Sequence, residues 1–146
     1  MTSPSGPPPT VSTDDVRDLF DAAVAAKARA YAPYSTFRVG CALRTAGGLV
    51  VSGCNVENAA YPQGSCAEAG AISAMIVAGE LRIVEILVVT DGEGLNTCCG
   101  GCRQRLREFA ALDTEIHVCG PEGVRSTFTL EQLLPWSFGP ENLSSS

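Results

Sequence analysis

Two short segments of the chain carry residues that could do chemistry together. Cys66 and Glu68 stand two apart at the start of one predicted helix, and Cys99 and Cys102 stand three apart at the start of another. Residues three apart on a helical turn face the same side, so Cys99 and Cys102 can bind one ion. Cys66 supplies a third thiolate if both helices direct their N-termini at a common point. Three protein ligands leave the fourth position of a tetrahedral zinc ion open to water, which is typical of a catalytic site.

Each segment also has a simpler interpretation. Cys99 and Cys102 could form a redox pair, and Ser65 with Glu68 could form a capping box in which Glu68 only satisfies a backbone N–H. A structural site of four thiolates would need Cys98, but adjacent residues on a helix point in different directions. The combination favours catalysis, because a Cys or His, one residue, then Glu, followed downstream by Cys-x-x-Cys, is the zinc-deaminase signature. In that signature the Glu carries protons and is not a ligand.

Composition limits the class of protein. The 146 residues suffice for one domain, and 45% are hydrophobic. The net charge of −6 disfavours a nucleic-acid partner. Residues 1–9 contain neither a basic nor an apolar run, and no apolar stretch is long enough to span a membrane, so we expect a cytoplasmic protein. Seven Cys in such a chain indicate metal binding or catalysis, and the single His117 is expected to be a partly buried sheet residue.

The pattern of apolar and turn residues predicts α and β elements in mixed order. The first half has a helix from Thr13 or Asp14 to before Pro33, a hairpin of residues 37–44 and 49–54, and a helix over 66–78 capped by Ser65. The second half has a strand over Ile83–Thr90, a helix over 99–110, strands over 115–119 and 124–128, and a short helix over 130–134. This order predicts a mixed sheet between helices. We expect a disordered tail over 1–12, one domain over 13–143 and a disordered end over 144–146.

Longer stretches add to the two cysteine segments. Between about Tyr31 and Leu143 the chain resembles the small, homotetrameric cytidine deaminases. The resemblance rests on the two cysteine segments and on Tyr31-Ala-Pro-Tyr-Ser-Thr-Phe-Arg-Val-Gly40, Gly53-Cys-Asn-Val-Glu-Asn-Ala-Ala-Tyr-Pro62 and Leu133-Leu-Pro-Trp-Ser-Phe-Gly-Pro-Glu141. It implies a three-layer α/β/α sandwich with a mixed five-stranded sheet, and one zinc ion per subunit. It also implies a homotetramer whose active sites are completed by neighbouring subunits.

The resemblance also implies roles for individual residues. Zinc is expected on Cys66, Cys99 and Cys102, with Glu68 moving protons between water and the pyrimidine during hydrolytic deamination of cytidine and 2′-deoxycytidine. The residues expected to bind the nucleoside are Phe37, Asn55, Glu57, Tyr61, the Ala67 backbone and Phe138, the last from another subunit. Asn55 and Glu57 are expected at the ribose hydroxyls, where the carboxylate would also repel a 5′-phosphate, so the substrate should be a nucleoside.

Two positions depart from the family pattern: Cys98 stands where Pro is common, and Ala69 stands where Arg commonly follows the catalytic Glu. Three thiolates on Zn²⁺ leave a net charge of −1, and Ala69 has no donor to offset it. We expect Arg103, next to Cys102, to do so, against the alternative of a structural or subunit contact. Two other functions remain open: a deaminase of a cytosine-containing antibiotic such as blasticidin S, and a non-catalytic zinc-binding module.

Overall fold

A computed structural model of the protein describes residues 13–144, which form four α-helices and one sheet of five strands. The elements in chain order are α1 (Thr13–Lys27), β1 (Val39–Thr45), β2 (Val50–Cys54), α2 (Ala67–Val77), β3 (Ile83–Thr90), α3 (Gly100–Phe109), β4 (Ala110–Gly120), β5 (Gly123–Thr129) and α4 (Leu130–Leu133). Short 3-10 helices cover Tyr61–Gln63 and Pro140–Asn142.

The sheet is mixed, with strand order β2-β1-β3-β4-β5. Strands β3 and β4 pair in parallel, and the other three pairs of neighbours are antiparallel. A parallel pair needs a crossover connection, and α3 provides it between β3 and β4. This places the start of α3, with its two cysteines, just beyond the carboxyl end of β3.

Side chains that alternate along the central strands fill two separate cores. Cys41, Leu43, Ile86 and Val88 pack with residues of α2, α3 and α4 on one face of the sheet. On the other face, Ala42, Leu87, Val89 and Cys119 pack against Leu19 and Ala23 of α1. Burial on both faces explains why β3 is a nearly continuous apolar run. The predicted α/β/α sandwich with a mixed five-stranded sheet is therefore confirmed.

The ends of some elements differ from the prediction. Strand β4 begins at Ala110, directly after α3, and not at Glu115. Its register with β3 shifts between Ile83 and Glu85, which accommodates the polar residues before Glu115. Such an irregular strand start lacks the apolar alternation on which the prediction relied.

The prediction that Ser65 caps α2 is wrong. The N-cap is Cys66, and Ser65 instead exchanges two backbone hydrogen bonds with Val56, at 2.9 and 2.8 Å. Because this bridge keeps Ser65 extended, the helix starts after Cys66 and no capping box forms from Ser65 and Glu68.

The tail predicted over 1–12 and the last two residues of the predicted end, 145–146, lie outside the described residues. Between residues 13 and 144, no helix has the length and apolar character that crossing a membrane requires.

Candidate metal centre

Two helix starts bring three cysteines together. Cys66 is the N-cap of α2 and Cys99 is the N-cap of α3, which places Cys102 in the first turn of α3. Neither N-cap side chain makes a capping hydrogen bond, so both sulfurs are free for another partner. Both helix N-termini carry partial positive charge, which favours thiolates at these positions.

The sulfur positions fit a zinc ion. The Sγ atoms of Cys66, Cys99 and Cys102 all lie within 4.8 Å of one another, and those of Cys66 and Cys99 are 3.9 Å apart. A tetrahedral zinc ion with Zn–S bonds of about 2.3 Å holds two sulfurs about 3.8 Å apart. Cys98 lies outside this cluster, buried in the apolar core, and burial, followed by the charge of Glu68, raises its pKa to about 12.

The three thiols differ in how readily they ionise. Burial raises the pKa of Cys66, and burial together with the charge of Glu68 raises the pKa of Cys102. Burial also raises the pKa of Cys99, but interactions with Cys102 and with the Cys66 side chain outweigh burial, so this pKa ends below its ordinary value. A divalent cation must therefore displace protons to bind, which is usual for thiolate sites.

A cavity of about 480 Å³ opens over this cluster. Cys66, Glu68 and Cys99 are part of its lining, while Cys102 is fully buried. Glu68, in the first turn of α2, is only 4% exposed. A buried carboxylate at the edge of a cavity, two residues from a thiolate, is well placed to exchange protons with a small molecule bound there.

The cavity brings together most of the residues predicted to bind substrate. Those on its lining are Phe37, Asn55, Glu57, Tyr61 and Ala67. Phe37 is 43% exposed, which is inconsistent with an ordinary core aromatic. Tyr61, in the 3-10 helix Tyr61–Gln63, packs edge-on against Tyr34, with ring centroids 6.1 Å apart.

Asn55 and Glu57 hold the loop that carries Phe37. Asn55 Oδ1 accepts from the Val39 N–H at 2.9 Å, and its Nδ2 donates to the Phe37 carbonyl at 2.8 Å. The Glu57 carboxylate accepts from the backbone N–H of Tyr34 and Ser35, at 2.9 and 3.1 Å, and from the Ser35 hydroxyl. The Ser35 hydroxyl is the main cause of a lowered pKa at Glu57, which keeps that carboxylate charged.

Phe138 lies apart from the cavity of its own chain. Among the described residues it is not part of the lining, it is 57% exposed, and its carbonyl accepts from Gln104 Nε2 at 2.8 Å. The neighbouring Trp136 is fully exposed and has a positive φ of 56°. The segment after α4 thus presents two aromatic side chains to the outside of the chain.

Arg103 does not reach the sulfur cluster. Its guanidinium donates to the Cys98 carbonyl at 2.8 Å, the Leu133 carbonyl at 2.6 Å and the Thr97 hydroxyl at 2.8 Å. The guanidinium that contacts a cluster sulfur is that of Arg105, with Nη1 3.6 Å from Cys102 Sγ. Adjacent residues on a helix point about 100° apart, whereas residues three apart share a face, so Arg105 and not Arg103 faces Cys102.

Sequence reasoning missed several residues at the far side of the cavity. Thr90, at the carboxyl end of β3, accepts from Asn96 Nδ2 at 3.1 Å, and both residues line the cavity together with Ser35 and Thr97. The available signal was a polar residue that ends a buried strand before a loop, since ligands bind at the carboxyl ends of parallel strands.

A second cluster of possible metal donors lies in the strands. The side chains of Glu85, Glu115 and His117 also lie within 4.8 Å of one another. His117 Nε2 is 2.7 Å from Glu85 and its Nδ1 is 2.9 Å from the Thr127 hydroxyl. Arg44 Nε donates to Glu85 at 3.3 Å. His117 is therefore a buried sheet residue, as predicted from its strand.

Comparison with known proteins agrees with this site. The family model for the cytidine and deoxycytidylate deaminase zinc-binding region matches residues 13–118. A cytidine deaminase of Sporosarcina psychrophila is 37% identical over 130 residues, covering 89% of this chain and 96% of the relative. One from Mycobacterium tuberculosis is 40% identical over 122 residues, covering 83% and 87%.

Solved structures give the same result. The crystal structure of cytidine deaminase from Burkholderia pseudomallei superposes with a TM-score of 0.79 at 40% identity, covering 84% of this chain and 98% of that one. That of the Mycobacterium tuberculosis enzyme gives a TM-score of 0.74 at 38% identity, covering 86% and 98%. With its three clustered thiols beside a buried glutamate, the chain belongs to the zinc-binding cytidine and deoxycytidylate deaminase family.

Proposed function

We propose that this protein hydrolyses the 4-amino group of free cytidine, and of 2′-deoxycytidine, to give uridine or deoxyuridine and ammonia. The observation that carries the proposal is the buried Glu68 beside three clustered thiols at the edge of a nucleoside-sized cavity. Relatives at 37% and 40% identity named cytidine deaminase support the same substrate. Cys66, Cys99 and Cys102 would hold one zinc ion per chain.

Glu68 would do the proton transfers. Zinc, when bound, would supply Lewis acidity that makes a water molecule easier to deprotonate. Glu68 would accept a proton from that water as it attacks C4 and would deliver it to N3, giving a tetrahedral carbon. Glu68 would then take the proton of the hydroxyl added at C4 and pass it to the exocyclic nitrogen, so that the C4–N bond breaks, ammonia leaves and a carbonyl remains at C4.

The other cavity residues would bind and orient the nucleoside. Phe37 offers an aromatic face to the base, with Tyr61 and the Ala67 backbone at the cavity wall. Asn55 and Glu57 would bind the ribose hydroxyls, because their amide and carboxylate groups can form more hydrogen bonds than their contacts with the loop use. The charged Glu57 carboxylate and the net charge of −6 both oppose a 5′-phosphate or a nucleic acid.

The functional test is ammonia release measured side by side from cytidine, deoxycytidine, cytidine 5′-monophosphate and blasticidin S. We expect turnover of both nucleosides, little turnover of the nucleotide, and loss of activity with a chelator that added zinc restores. Preferential turnover of blasticidin S would instead establish an antibiotic deaminase. Zinc binding without turnover of any of the four would support the non-catalytic module.

The proposal includes a homotetramer in which Phe138 enters the cavity of a neighbouring subunit. It is supported by the exposure of Phe138 and Trp136 and by the position of Phe138 outside the cavity of its own chain. Mixing inactive Glu68→Gln protein with inactive Phe138→Ala protein should restore part of the activity, because some mixed sites combine an intact Glu68 with an intact Phe138. Absence of recovery in tetramers shown by native mass spectrometry to be mixed would exclude this sharing.

We further propose a cytoplasmic location. All seven cysteines are free thiols in the structure, and the three at the candidate metal centre need a reducing compartment to stay available for zinc. Fractionation of the native host, with the protein followed by antibody, tests this proposal. Recovery in a secreted or membrane fraction would contradict it.

A further inference from the structure

The candidate metal centre has an unbalanced charge. Three thiolates on Zn²⁺ leave a net charge of −1, which opposes removal of a proton from a nearby water. The first turn of α2 contributes no side-chain donor after Glu68, because residue 69 is alanine. The two helix N-termini contribute about half a charge each at most, so a side-chain cation at the sulfurs would have a substantial effect.

Arg105 is in contact with one of these sulfurs. Its Nη1 lies 3.6 Å from Cys102 Sγ, at hydrogen-bonding distance for a sulfur acceptor. The path of the side chain passes over Gly101, where a Cβ atom would stand 3.4 Å from the same Nη1. This is an ordinary van der Waals distance, so the guanidinium lies back along the helix, over residue 101 and toward Cys102.

The other arginines of α3 have different partners. Arg103 donates only to oxygens of Thr97, Cys98 and Leu133, and Arg107 donates to Ser137 and Glu141. Both thus tie α3 to neighbouring segments. Within residues 13–144, no carboxylate forms an ion pair with Arg105, so its charge is available to the sulfur.

We propose that Arg105 is a positioning residue for the metal centre, which donates a hydrogen bond to Cys102 Sγ and offsets the negative charge of the zinc–thiolate group. The inference rests on the proposed zinc ligands. Charge-assisted hydrogen bonds to a ligand are stronger than neutral ones, and outer partners of metal ligands typically change metal affinity or activity 10–100-fold. The contact with Cys102 thus replaces a donor that position 69 cannot supply.

The test is the zinc dissociation constant, measured by competition with a chromophoric chelator. Arg105→Met and Arg105→Gln remove the charge but keep a good helix former, and we expect each to weaken zinc binding about 10–100-fold. Arg105→Lys should recover part of the loss, and so should Ala69→Arg combined with Arg105→Met. The matched control is Arg82→Met, at an exposed arginine before β3, which should bind zinc like the parent.

Different variants test the role of Arg105, the zinc ligands and the deaminase activity separately. The Tm of each metal-free variant is measured in parallel, and equal values attribute a change in zinc affinity to the charge and not to folding. Parent-like zinc affinity in both Arg105→Met and Arg105→Gln would overturn the role of Arg105. Parent-like zinc affinity in Cys102→Ala would instead overturn the ligand set, while cytidine turnover by the parent is tested independently of both.

Discussion

Two clusters of potential metal donors lie on opposite sides of the same sheet. Cys66, Cys99 and Cys102 lie on the side of α2 and α3, and their site opens into a cavity. Glu85 has the same orientation along β3 as Leu87 and Val89, which pack against α1, so the cluster with Glu115 and His117 lies on the other side. In both clusters the donor atoms lie within 4.8 Å of one another.

The two clusters differ in how many protein groups already bond to their metal-binding atoms. Glu85 and His117 bond to each other and to Arg44 and Thr127, so protein groups already occupy their bonding capacity. The polar partners of the three sulfurs are one another, Arg105 and Glu68, and no protein group among the described residues saturates them. Residue type and spacing alone therefore do not distinguish a metal site from a structural network, whereas the inventory of protein partners does.

The largest expected effect is loss of the metal. Cys66→Ala, Cys99→Ala and Cys102→Ala should each lose zinc and with it essentially all turnover, because two thiolates do not make a stable site. Cys98→Ala should keep about one zinc per chain, since that thiol is buried outside the cluster. Metal analysis of the purified variants is the measurement. Loss of zinc from Cys98→Ala alone would reassign the ligands.

The next largest effect separates chemistry from metal binding. Glu68→Gln should retain zinc and fold while turnover falls about 10²–10⁴-fold, because a neutral amide cannot carry protons. Steady-state kinetics and metal analysis on one preparation test this expectation. If Glu68→Gln keeps substantial activity, Glu68 is not the proton carrier.

Periodicity in the sequence was enough to predict the elements that position the sulfur cluster. Helical spacing in α2 and α3 and the apolar run of β3 predicted those elements closely, and the two helix starts predicted the sulfur cluster. The predicted sheet and layers followed from the order of these elements.

The sequence was insufficient where a tertiary contact decides. Ser65 is held extended by its bridge to Val56, a contact nine residues back along the chain that local capping rules do not include. Arg105 was overlooked because proximity along the chain favoured Arg103, although helical geometry faces position 105 toward Cys102. The network around Glu85 joins four strands, so no local pattern revealed it.

A smaller effect is expected from the strand cluster, on stability and not on zinc. Glu85→Gln removes the charge from a buried group paired with His117 and Arg44, and we expect the free energy of unfolding to fall by about 3 kcal/mol. Glu115→Gln is the control, because Glu115 is exposed and 3.9 Å from His117, and it should cost at most about 1 kcal/mol. Urea unfolding of the metal-free proteins measures both, and equal costs would contradict the distinction.

The smallest expected effect is the pH dependence of that stabilisation. Burial raises the pKa of Glu85, but hydrogen bonds and charge from His117 and then Arg44 outweigh it, so the pKa ends below its ordinary value. A carboxyl with a lowered pKa in the folded protein stabilises fully above its unfolded pKa of about 4.3 and loses that contribution as pH falls through the folded value.

Other carboxylates, such as Glu57 and Glu141, also have lowered pKa values, so the parent alone does not isolate Glu85. The informative quantity is the difference in unfolding free energy between the parent and Glu85→Gln, measured in urea at intervals from pH 7 to pH 3. We expect this difference to be constant above about pH 5 and to decrease below about pH 4.3. At low pH the parent protonates Glu85 and so loses the negative charge that the variant already lacks. A difference that stays constant to pH 3 would mean that the shape and hydrogen bonding of residue 85, and not its charge, hold this network together.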